Sequence, residues 1–176
     1  MAVLNQVGNS LTGLTGTGAF VGANTPTLIT PALGVATATS INFGGTALST
    51  YLQGTWAPTL VSSGGGTPTY TLQQGIYTQI GNRVFFSVNL VLATLGTLAA
   101  GSLTITGLPT AAAASVALAC AFQTLTAGSI TSVAAVTMNA STSITLYLFN
   151  AGSLAALDQA NLQGTSQFVI GGNYNV

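Results

Sequence analysis

From about residue 52 onward, apolar and polar side chains alternate with a period of two, the pattern of strands that bury one face. Its clearest instance runs from Ile76 to Ile80 and from Arg83 to Leu92, on either side of Gly81-Asn82. Gly and Asn tolerate positive φ, so this two-residue connection predicts a tight hairpin. Along the second strand Phe86, Val88, Leu90 and Leu92 share one face, and Phe85, Ser87, Asn89 and Val91 share the other. Because Phe85 and Phe86 fall on opposite faces, both sides of this strand are expected to be covered. Further strands are predicted at Ser102 to Thr106 with Leu103 and Ile105 inward, Val116 to Gln123, Val133 to Met138, Ser143 to Phe149 with Ile144, Leu146 and Leu148 inward, and Gln167 to Ile170. Turn signals at Gly64-Gly65-Gly66, Gly107-Leu108-Pro109 and Gly152 separate several of them, and strands at this spacing read as an antiparallel β-sandwich. The competing element is a helix over Ala111 to Ala121. There alanine's intrinsic propensity opposes a β-rich context that favours a strand from about Val116.

Residues 1–51 lack any sustained period and are punctuated by Gly, Thr, Asn and Pro. Pro26 and Pro31 push their preceding residues toward extended backbone, which predicts an arm rather than a helix. The apolar pairs Phe20-Val21 and Leu28-Ile29 are too isolated to form a core and need another surface to pack on. They are the candidate attachment residues, to a neighbouring copy or to a groove on another protein. The expected plan is therefore all-β: an extended arm over 1–51 for attachment and trimer contacts, then a jelly-roll-like antiparallel sandwich over 52–176.

Charge narrows the chemistry further. The chain of 176 residues holds one cation, Arg83, one anion, Asp158, and no His, Lys or Glu, where an ordinary domain is about a quarter charged. Paired-carboxylate acid–base catalysis lacks its second carboxylate, and a Ser-His-Asp or Cys-His arrangement lacks its imidazole. A zinc site finds neither His nor a second Cys. No catalytic, cofactor-binding or metal-ligating residue is assigned. Asp158 reads as a solvated loop residue, or as a partner of Arg83 or of a backbone amide, and Arg83 as a hydrogen-bonding fork. Trp56 reads as an anchor of the first strand, and Cys120, among Val116, Ala117, Leu118, Ala119 and Phe122, as a small buried apolar group. Asn139-Ala140-Ser141 matches the glycosylation triplet, a frequent chance match.

The same count excludes partners. One Arg per chain cannot supply the phosphate contacts of nucleic acid binding, nor hold an anionic membrane surface. The longest apolar stretch, Ala111 to Phe122, falls short of the roughly 20 residues that span a bilayer, and Met1 to Gln6 lack the basic start of a secretory leader. A net charge of zero removes the repulsion that keeps free monomers apart, so the composition suits a chain held in an assembly.

Three segments, Gly54-Thr55-Trp56-Ala57-Pro58-Thr59-Leu60, Gly75 to Val84 and Gly107-Leu108-Pro109, together resemble a β-sandwich module of bacteriophage virion proteins, especially tail fibres and related appendage proteins. Thr17 to Val21, followed by Thr25 to Gly34, is similar to the linking segments of tail-fibre and side-fibre proteins. The resemblance implies a homotrimeric, non-enzymatic virion component. Its arm would dock on baseplate, tail or capsid proteins, and its outer domain would meet a host-surface receptor such as a glycan through neutral hydroxyl, amide and Tyr groups. The alternative is a capsid decoration or head-fibre protein that stabilises the shell. Fibres of this kind are usually much longer and place such a module beyond a shaft, whereas arm and knob make up nearly all of this chain.

Overall fold

The computed structural model describes residues 41–42, 47–48, 50–126, 130–150 and 153–176. All belong to one unit, Thr39–Val176. The attachment residues Phe20, Val21, Leu28 and Ile29, and the turn at Gly152, lie outside the described residues.

Two short strands, β1 (Ile41–Asn42) and β2 (Ala47–Leu48), pair with each other. The remaining strands form one antiparallel sheet: β3 (Tyr51–Trp56), β4 (Thr59–Ser62), β5 (Thr69–Ile80), β6 (Arg83–Thr94), β7 (Leu103–Thr106), β8 (Val116–Leu125), β9 (Ile130–Thr137), β10 (Ser143–Asn150), β11 (Ser153–Ala156) and β12 (Leu162–Asn175). The hydrogen-bonded path runs β3-β5-β6-β12-β8-β9-β10-β7-β4, with β11 alongside β10. Its two end strands, β3 and β4, are consecutive in sequence and joined only by Ala57-Pro58. The sheet is thus curled, and the chain itself links its two ends.

The expected hairpin is present: Ile80 pairs with Arg83 across Gly81-Asn82, and only Gly81 takes the positive φ, +58°. Its turn is held from three directions. The Gly81 N–H donates to the Thr50 carbonyl at 2.9 Å, the Gln79 amide donates to the Gly81 carbonyl at 2.9 Å, and the Val176 N–H donates to the Asn82 carbonyl at 2.9 Å.

Alternation decides the core. Val84, Phe86, Val88, Leu90 and Leu92 of β6 point inward and meet Leu103 and Ile105 of β7, Ile144, Leu146 and Leu148 of β10, and Phe168 and Ile170 of β12 in one cluster. Tyr174 closes one end, its ring edge-on to Phe86 at 5.7 Å and its hydroxyl donating to the Thr110 carbonyl at 3.0 Å. The Ala-rich run is not helical. Val116 opens β8, where the buried Thr137 hydroxyl accepts from the Val116 N–H at 2.9 Å and donates to the Ala114 carbonyl at 3.2 Å. Ladder bonds and this hydroxyl outweigh alanine's helical preference, worth only a few tenths of a kcal/mol per residue.

Two reciprocal pairs fasten the edge strand β3 to β5. Gly54 lies opposite Tyr77, and Trp56 opposite Gly75. A Cβ on Gly75 would stand 2.4 Å from the Trp56 indole, and one on Gly54 2.8 Å from the Tyr77 ring. Each aromatic therefore covers backbone that only glycine leaves bare. Trp56 anchors the first strand as expected, and it does so by packing, since its buried Nε1–H has no hydrogen-bond partner.

One expectation fails. The outer side of β6 is not covered by the described residues: Phe85 is 45 % exposed, while Phe86 behind it is buried.

Overpacking a filled site costs about 1–3 kcal/mol, so Gly75→Val is expected to lower unfolding stability by that amount in urea titrations. Gly171→Ala, whose Cβ meets nothing closer than the Phe86 carbonyl at 3.6 Å, is expected to change it by less than about 0.5 kcal/mol.

Candidate functional site

In an antiparallel ladder, residues directly opposite share a face. On the outer face this rule aligns Thr55, Ile76, Ser87, Gly171 and Ala119 in one row, and Gln53, Thr78, Phe85 and Asn173 in the next. Ser87 and Gly171, small residues beside Ile76 in the first row and Phe85 in the next, leave an open hollow of about 590 Å³, bordered by Gln53, Thr55, Ile76, Thr78, Phe85 and Ser87. Backbone of Gly54 and Gly172 contributes to its floor. Ile76 is 50 % exposed there. Of the ten large apolar side chains left exposed among the described residues, six lie on this outer face: Tyr51, Leu72, Ile76, Ile80, Phe85 and Val169.

Arg83 stands two residues before Phe85 on the same face. Its guanidinium donates to the side-chain carbonyl of Asn175 at 3.3 Å and to that of Asn173. The fork expected from sequence is present, and both partners are neutral amides. Asp158 is elsewhere, capping the 3₁₀ turn Gln159–Asn161. Its carboxylate accepts from the Ala160 N–H at 3.0 Å, while its own N–H donates to the Asn161 side chain at 2.9 Å. The structure thus selects the backbone-amide partner for Asp158 and places the two charges in separate local roles.

Cys120 lies on the inner side of β8, opposite Ile170 and half-buried. Burial pushes its thiol up to about 11, away from the thiolate that nucleophilic or metal chemistry needs. Burial likewise raises the Tyr70 and Tyr174 hydroxyls. Tyr70 accepts from the Leu60 N–H at 2.8 Å, and Tyr51, at 59 % exposure, is the tyrosine most open to solvent. Among the described residues no three His, Cys, Asp or Glu side chains gather to hold a metal ion, and no helix is long and apolar enough to cross a membrane.

Sequence reasoning placed Phe85 and Ser87 on one face but took that face as covered, and it did not single out Gln53, Thr55, Ile76 or Thr78. A signal was present: Gly54-Thr55-Trp56 and Gly75-Ile76-Tyr77 repeat a Gly-x-aromatic spacing. When the two segments pair in opposite directions, the aromatics go inward and the middle residues Thr55 and Ile76 meet on the outer face.

The architecture is that of an all-β, antiparallel curled sheet with a single-faced core. No family model and no curated protein matches the chain. Among solved structures, the Dettilon tailspike protein shares the fold with a TM-score of 0.60 over 71 % of this chain, at 22 % identity. The chain covers 24 % of that protein's length, about a quarter.

The charge inventory sets the pH response. A thiol raised in the folded state from its ordinary 9.0 stays protonated when the unfolded chain has lost its proton. Stability is then unaffected below that range and lost as pH rises from about 9 to about 11. Calorimetry is expected to show a flat unfolding midpoint between about pH 5 and 8, a fall beginning near pH 9, and a later onset in Cys120→Ala. A midpoint that moves strongly between about pH 5 and 8 contradicts this.

Proposed function

We propose that this chain is a structural component of a bacteriophage tail that takes part in attachment to the host surface. The observation that carries the reading is the fold held in common with the Dettilon tailspike protein over 71 % of this chain. Near-absence of charge supports it, because a surface of hydroxyls and amides suits an assembled particle better than a dispersed monomer. In this reading the chain is a short tail fibre: residues 1–51 attach it to other tail proteins, the curled sheet forms a sandwich-like outer module, and three copies associate. The module binds rather than cleaves, since a chain with one carboxylate side chain and no imidazole lacks an acid–base pair. Presentation in several copies would raise the avidity of weak single sites by orders of magnitude.

Immunogold electron microscopy of intact particles of the encoding phage, with an antibody to this chain, tests the assignment. Label is expected at the tail. Label spread over the head would replace the reading with capsid decoration, and unlabelled particles would remove the chain from the virion.

A further inference from the structure

We infer that the hollow on the outer face of β3, β5, β6 and β12 is a binding site for an uncharged saccharide. The inference deepens the attachment reading and rests on it for its biological role.

Four observations lead there. First, the hollow runs from the edge strand β3 across β5 to β6 on a sheet whose opposite face makes the core, so its floor is backbone held in the ladder. Rows of ladder partners fix Phe85 and Ile76 as its apolar walls, each about half exposed. Its volume, about 590 Å³, falls within the ~300–1,000 Å³ of small-ligand sites.

Second, its polar lining is neutral: the Gln53 amide and the hydroxyls of Thr55, Thr78 and Ser87. A sugar ring offers an apolar C–H face and a rim of hydroxyls. Phe85 matches the face, and the amide and hydroxyls match the rim, each able to donate or accept. Third, these groups retain hydrogen-bonding capacity, because the Gln53 Nε2 to Thr78 Oγ1 contact is long, 3.5 Å. A purely apolar ligand would strip water from them without replacement, at a cost of roughly 1–3 kcal/mol each.

Fourth, the lining offers no countercharge. Arg83, the chain's one cation, is not part of it and turns its guanidinium onto Asn173 and Asn175. An acidic ligand would enter with its charge uncompensated.

Saturation-transfer NMR on the full chain, in its native oligomeric state, tests the site with neutral trisaccharides of glucose, galactose, mannose and N-acetylglucosamine. An oligogalacturonate trimer serves as the acidic counterpart. At least one neutral trisaccharide is expected to bind. Phe85→Ala, which removes the stacking wall, and Ser87→Leu, which fills the hollow from an exposed position, are each expected to weaken it about tenfold or more. Leu154→Ala, exposed on β11, is expected to leave it unchanged.

Absence of binding to every neutral probe overturns the proposal, as does binding indifferent to both hollow variants. Binding of the galacturonate alone, lost in Arg83→Gln, reassigns the ligand to an acidic sugar. A changed native mass in Phe85→Ala assigns the face to contacts between copies instead. All of these are read on the isolated chain, so they stand apart from the microscopy that locates it on a particle.

Discussion

The architecture depends on how its free end is fastened. The sheet's path begins with β3 and ends with β4, two strands that follow each other in the chain but do not pair. What holds β3 in place is the interlock of Trp56 over Gly75 and Tyr77 over Gly54, two aromatic rings lying on bare backbone in opposite directions. Register follows from it, because a slip of β3 by one residue would turn Trp56 to the outer face and take Gly54 from under Tyr77. From that anchored strand the chain crosses Ala57-Pro58 into β4, where β5 reaches over the gap with side chains. The Gln73 amide donates to the Pro58 carbonyl at 3.0 Å, and the Tyr70 hydroxyl receives the Leu60 N–H. Side-chain bonds thus do at the seam what ladder bonds do elsewhere in the curl.

Stability in such a molecule has few electrostatic contributors. Arg83 ties the β6–β12 pair through two asparagines, and Asp158 caps a single turn; neither contributes more than a surface interaction ordinarily does. Burial of one sheet face and the backbone ladder carry the rest. Because the inner face is complete without help from the outer one, the outer residues are released from core duty. Ser87 and Gly171, small residues on the outward side of the ladder, then leave the surface low beside Ile76 and Phe85.

Much of this was legible in the sequence where alternation is clean. The Gly81-Asn82 hairpin and the inward ladders of β6, β7 and β10 follow from period two and turn chemistry alone. β12 was visible only at Gln167 to Ile170, because Gly171, Gly172 and Asn173 interrupt its pattern; pairing with β6 on one edge and β8 on the other extends it to Leu162–Asn175. The first half of β5 was hidden by Gln73 and Gln74, one of which faces inward to bond the corner. The hollow was the least visible feature. Its rows join residues from four strands, and their alignment depends on registers that local periodicity does not encode. For the same reason the exposure of Phe85 ran against expectation: a large side chain on a strand's second face reads as buried, and among the described residues no layer covers it.

A one-sided core, a nearly charge-free exterior and a recessed outer face together describe a module able to present a neutral recognition surface from a larger assembly. The proposed tail role meets its most direct test in a cryo-EM reconstruction, at side-chain resolution, of a phage tail that contains this chain. The account predicts density for the curled sheet with Phe85 and the hollow open to solvent, facing away from the particle. Density showing that face buried, against the tail or against a second copy of the chain, would contradict it.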